Sequence, residues 1–168
     1  MITYLEILKA MHASGADYVW IGMNAAGAYG ATLSSTDFDF FIRPETEHLD
    51  RARDVFRTIG MSESWAKVTS ANLLAGEVTD TFSDSDGGPS VDLMVAVSGP
   101  TFDEVWRDHQ IVEFQGQPVR IASLRHIVQS KRAANRPKDR YMLRQLEEDL
   151  GREIKERGTA YRARKRAK

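Results

Sequence analysis

Asp37 and Asp39 stand two residues apart in Thr36-Asp37-Phe38-Asp39-Phe40-Phe41-Ile42, a run that is otherwise aromatic and β-branched. Side chains two apart on a strand leave the same face about 6 to 7 Å apart, so this spacing aims both carboxylates at one point. Two anions that close repel unless a cation lies between them, and burial without one drives a carboxyl pKa upward. The pair therefore calls for a basic partner or a divalent metal. Mg²⁺, with Mn²⁺ as its substitute, suits an all-oxygen site, because it needs only one or two carboxylates and fills its octahedron with water and substrate phosphate. The competing reading is a wetted edge strand that happens to carry two acids. Asp is a poor strand former, and its place inside this apolar run argues against that reading.

Two further stretches bear on the same point. Tyr18 to Ile21 is a short apolar run that stops at Gly22, and the small residues from Asn24 to Ala28 read as a short helix after a strand. Gly22 lets the backbone approach a ligand closely, and a helix start near Asn24 offers free N–H groups to a phosphate. Val91-Asp92-Leu93-Met94-Val95-Ala96-Val97 is a buried strand with a single acid near its start. If it lies beside the Asp37 strand, Asp92 adds a third carboxylate to the site.

Gly22, Met23, thirteen intervening residues and then Asp37-Phe38-Asp39 together resemble the signature of the nucleotidyltransferase superfamily, the polymerase-β-like fold. That signature is an apolar residue, Gly, Gly or Ser, a spacer, then Asp, an apolar residue, and Asp or Glu. A second block, Ile121-Ala122-Ser123-Leu124 through Lys131 to Asp139, is similar to the small bacterial abortive-infection and toxin–antitoxin (AbiEii-like) members. Met23 departs from the family's Gly or Ser, and Leu33 departs from the Arg that close relatives carry.

The resemblance implies an NTP substrate and a metal held by Asp37, Asp39 and Asp92. Gly22, Asn24 and Ser35 would line the phosphate approach. Lys131 and Lys138 would neutralise phosphate charge, with Asp139 orienting one of them. The implied reaction moves an NMP from an NTP to an acceptor hydroxyl on RNA, protein or a small molecule, with an antitoxin as a further partner. The alternative is a lapsed member, altered at Met23 and Leu33, that binds nucleotide or RNA without turnover.

Composition sets bounds on this reading. The chain has 168 residues, 42% hydrophobic and 28% charged, as expected for one globular domain with a real core. It has no cysteine, which excludes disulfides and thiolate metal sites and fits a cytoplasmic setting. No basic leader precedes an apolar segment, and no apolar run is long enough to span a membrane. The formal net charge is −1, yet Arg152 to Lys168 holds eight Lys/Arg against Glu153 and Glu156. This basic tail, with Tyr161 among arginines, suits RNA phosphates or an acidic partner, or is simply solvated. His12, His48, His109 and His126 show no metal-ligand spacing, and Asp84, Asp86 and Gly87 lack the closing Glu of an EF-hand.

The elements that must position these residues are legible in outline. Thr3 to Ser14 reads as an amphipathic helix with Leu5, Leu8, Met11 and His12 at helical spacing. Pro44 and the acids after it open a second helix, with Leu49, Ala52, Val55 or Phe56, and Ile59 as its stripe. Trp65, Val68, Leu73 and Leu74 suggest one or two short strands, and Thr79 to Ser90 has the chemistry of an exposed loop. A short helix at Phe102, a hairpin about Gly116, and a helix from Leu124 to Asn135 capped by Ser123 follow. A last helix runs from Lys138 to about Arg157, with Tyr141, Leu143, Leu146 and Leu150 facing the core. The expected architecture is α/β of the α+β type, a mixed sheet with packed helices. Residues 1–122 form the core, 123–157 a helical segment packed on it, and 158–168 a basic tail.

Overall fold

The computed structural model describes residues 1–32, 35–64, 68–76 and 79–166, and the side chains of these up to residue 151. Leu33, Trp65 and the side chains of the basic tail lie outside the described residues. Among the described residues, seven strands form one mixed sheet: β1 (Tyr18–Ile21), β2 (Phe38–Ile42), β3 (Ser62–Glu63), β4 (Asp80–Ser83), β5 (Val91–Met94), β6 (Gln110–Phe114) and β7 (Gln117–Ile121). Their order across the sheet is β3-β4-β5-β2-β1-β7-β6. Strand β2 runs antiparallel to β1 and parallel to β5, and β4 returns antiparallel on the far side of β5.

Alternation along the strands separates two faces. Phe38 and Phe40 are fully buried on one of them, where α1 (Tyr4–Ala13) and α3 (Thr46–Thr58) cover the sheet. Tyr4 packs its ring 5.1 Å from that of Phe38, and Phe40 stacks on Phe56 at 6.1 Å. Asp39 and Phe41 face the other way. There α5 (Phe102–Asp108) closes over Phe41 through Phe102, and α2 (Gly22–Ala26) packs with α6 (Leu124–Ala134). The last helix, α7 (Pro137–Arg166), lies against α6 and buries Leu146 and Leu150.

Several local expectations change. His12 is exposed, since the buried stripe of α1 is Ile7, Leu8, Ala10 and Met11. Leu73 and Leu74 belong to a short helix, α4 (Ser70–Leu74), capped by the Thr69 hydroxyl, where strands were expected. The expected loop at Thr79 contains β4, with Asp80 and Phe82 fully buried, and turn residues begin only at Asp84. Asp80 tolerates burial because Arg53 of α3 lies 2.9 Å from it, held in turn by Glu63, the Val68 carbonyl and Ser70. Ser123 stands at the start of α6 without capping it, and Tyr141 is 51% exposed. The hairpin is as expected, turning through Gln115 and Gly116, both at positive φ.

Candidate active site

The register of four strands sets Ile21 of β1, Asp39 of β2, Asp92 of β5 and Thr81 of β4 side by side in one row across the sheet. Neighbouring strands are about 4.8 Å apart, so Asp39 and Asp92 are direct neighbours on the face away from the aromatic core. At the end of the row the chain leaves β1 at Gly22, whose φ is +87°. A Cβ there would lie 2.1 Å from Oδ2 of Asp39. Glycine is required twice over, by backbone conformation and by the carboxylate packed against it.

Ile21, Asp39 and Asp92 of this row, together with Gly22, form the floor of a cleft of about 370 Å³. Met94, Ala96, Val97 and Ile127 supply apolar wall, and Lys131 and Arg136 supply positive charge opposite the acids. Both cations share Asp139, which is fully buried. Its Oδ1 lies 3.3 Å from Lys131 Nζ, and its Oδ2 accepts hydrogen bonds from Arg136 Nε at 2.6 Å and from the Arg136 backbone N–H at 3.2 Å. Burial pushes the Asp139 carboxyl up, but Arg136 and Lys131 outweigh it and leave it below the usual carboxylate range. Asp39 goes the other way. Burial first, then the neighbouring charge of Asp92, raise its pKa to about 6 against the opposing pull of Lys131 and, more weakly, Lys138. Asp92 is also raised, by burial, while a 2.6 Å hydrogen bond from the Thr81 hydroxyl works against the rise.

Asp37 sits one residue before β2 and adds its charge to both. Its own carboxylate accepts hydrogen bonds from Ser90 at 2.7 Å, Thr36 at 3.2 Å and Ser35 at 3.3 Å. Asn24 donates to the Asp37 carbonyl at 3.5 Å. Asn24 and Ser35 are thus engaged with Asp37 and lie outside the lining of the cleft, as does the exposed Lys138. Arg136, which lies within the block from Lys131 to Asp139, stands in the cleft instead. The signal was present in Arg136-Pro137-Lys138-Asp139, where Pro opens a helix and the acid two residues on reaches back to the residue before it. Thr81 was hidden in a stretch that resembled a loop, although Thr79, Thr81 and Ser83 alternate with Asp80 and Phe82.

The donor set suits a hard divalent cation: two adjacent carboxylates, both raised chiefly by burial, with no thiolate or imidazole among the described residues that line the cleft. Among the described residues no three acid or histidine groups are gathered in metal-holding geometry. The fit therefore rests on the Asp39–Asp92 pair, with Asp37 held to one side by its hydroxyl partners. No helix of the described residues is long and apolar enough to cross a membrane.

No protein-family model matches the chain, and no curated protein does. Solved structures do. A candidate nucleotidyltransferase of Thermotoga maritima superimposes with a TM-score of 0.58 at 15% identity, over 84% of this chain and 90% of that one. The antibiotic-resistance factor ANT(2'')-Ia superimposes with a TM-score of 0.54 at 16% identity, over 97% of this chain and 91% of its own. At these identities the likeness is one of fold, and the protein has the mixed-sheet α+β fold of the nucleotidyltransferases.

Proposed function

We propose that the protein transfers a nucleoside monophosphate from an NTP to an acceptor hydroxyl. The observation that carries this reading is the register of Asp39 with Asp92 beneath Gly22, facing Lys131 and Arg136 across one cleft. Asp39 and Asp92 would hold Mg²⁺ or Mn²⁺, with Asp37 joining them on release from its hydroxyl partners. The ion, when bound, supplies Lewis-acid charge to the triphosphate. The acceptor oxygen attacks the α-phosphorus and the bond to pyrophosphate breaks. Asp92 takes the hydroxyl proton. The charge growing on pyrophosphate is met by Lys131 and Arg136, which Asp139 holds in place before substrate arrives. Lys138, exposed at the start of α7, adds long-range positive charge.

The test is incubation with each α-labelled NTP, total RNA and lysate protein, with label uptake followed by fraction. Asp39→Asn and Asp92→Asn abolish transfer on this reading; retention by both would end it. The absence of a third preassembled ligand among the described residues favours a second reading, a lapsed member that binds nucleotide without turnover. Calorimetric NTP binding with no pyrophosphate release would establish that one. A role as the toxin of a two-gene pair is a narrower proposal. It predicts slow growth on expression, relieved by Asp39→Ala.

A further inference from the structure

Asp92 reaches the cleft from the middle of three strands, and its two flanking neighbours differ in kind. On one side Asp39 repels it. On the other, Thr81 stands in register on β4, and its hydroxyl donates to Asp92 Oδ1 at 2.6 Å. Thr81 is itself well anchored, because the preceding residue, Asp80, points through the sheet to its ion pair with Arg53. A carboxylate beside a like charge turns away from it unless something fixes its torsion. A short hydrogen bond from a rigid strand supplies that restraint, committing one oxygen to β4 and leaving the other for the cleft that Asp92 lines.

We propose that Thr81 is a positioning residue whose hydroxyl holds the Asp92 carboxylate in the orientation that cation binding and transfer require. This inference rests on the function proposed above, and its test separates the two. Mn²⁺ binding without nucleotide is followed by electron paramagnetic resonance for the wild type, Thr81→Val and Thr81→Ser, with turnover measured in parallel. Val keeps the shape and β-branching of Thr and removes only the donor. Thr81→Val is expected to weaken Mn²⁺ binding and lower kcat by about tenfold or more, the usual cost of losing a group that orients a ligand. The NTP KM should stay within about twofold, and Thr81→Ser should match the wild type in both assays.

Wild-type Mn²⁺ binding and turnover in Thr81→Val would overturn the proposal, as would a wild-type chain that binds no Mn²⁺. If Thr81→Val does not fold, Thr81→Ala is read against Thr81→Ser, and equal losses in those two would also overturn it. A wild type that binds Mn²⁺ but transfers nothing removes the proposed activity, while the binding arm still decides on Thr81.

Discussion

Asp39 is the residue at which the proposed function works against stability. Its pKa of about 6 in the folded chain, against an ordinary 3.8, means that the native state binds a proton more tightly than the unfolded chain does. The unfolded chain binds fewer protons between these values, so stability falls as pH rises from about 4 to about 6 and is flat beyond that window. Discounted for partial exposure, the cost at neutral pH is roughly 2 kcal/mol. Asp39→Asn should therefore melt higher than the wild type at pH 7.5 and lose much of the slope between pH 4 and 6, as scanning calorimetry would show. Millimolar Mg²⁺ should raise the wild-type melting temperature at pH 7.5 and leave that of Asp39→Asn unchanged. Gly22 belongs to the same contact. In Gly22→Ala the new Cβ meets Asp39 Oδ2 at 2.1 Å and the backbone stays at φ +87°. Strain of about 1 to 2 kcal/mol and a carboxylate displaced by the order of 1 Å follow, and transfer should drop about 100-fold. Near-normal transfer would show that the close approach is incidental. Asp39 and Gly22 stand out in the sequence, because Asp in an apolar strand and Gly at a strand end break local rules that folding alone would keep.

At the scale of elements, the strands that carry Asp39 and Asp92 were readable from hydrophobicity, while their supports were not. Strand β4 lies in a segment rich in Thr, Ser, Asp and Gly. It forms because Asp80 finds Arg53 beneath the sheet, a partner twenty-seven positions earlier that no local pattern announces. Helix α4 is a second case, since Leu73 and Leu74 alone cannot distinguish a short helix from a strand and the cap at Thr69 decides it. The Arg53–Asp80 pair locks α3 to β4, and its two halves depend on each other. Asp80→Ala leaves the buried guanidinium with Glu63 as its remaining carboxylate partner and should cost about 1 to 3 kcal/mol in urea unfolding. Arg53→Met combined with Asp80→Leu removes both charges and should restore most of that loss. If the double variant is as unstable as the single one, the pair is held by more than its own charges.

For the whole molecule, the cleft exists because two halves of the chain meet: the sheet supplies the acids, and the junction of α6 with α7 supplies the cations. In the sequence that junction is marked only by Lys131, Arg132, Arg136 and Lys138 on either side of Pro137. That it closes over the acids depends on tertiary packing, chiefly Leu146 and Leu150 of α7, with Asp149 accepting hydrogen bonds from the Thr32 backbone N–H at 2.8 Å and hydroxyl at 2.7 Å. The helix whose first turn carries Asp139 is thereby tied to Thr32, five residues before Asp37 in the chain. Leu146→Ala opens a cavity in this contact and should cost about 2 to 5 kcal/mol, or roughly 5 to 15 °C in melting temperature for a chain of this size. Because Asp139 holds Lys131 and Arg136 from the first turn of the same helix, a loosened α7 should also raise the NTP KM several-fold well below the melting transition. Asp139→Asn should raise KM in the same way with a smaller loss of stability. A Leu146→Ala protein that melts early yet keeps its KM would show that α7 braces the fold without shaping the cleft, and the cations would then owe their placement to α6 alone.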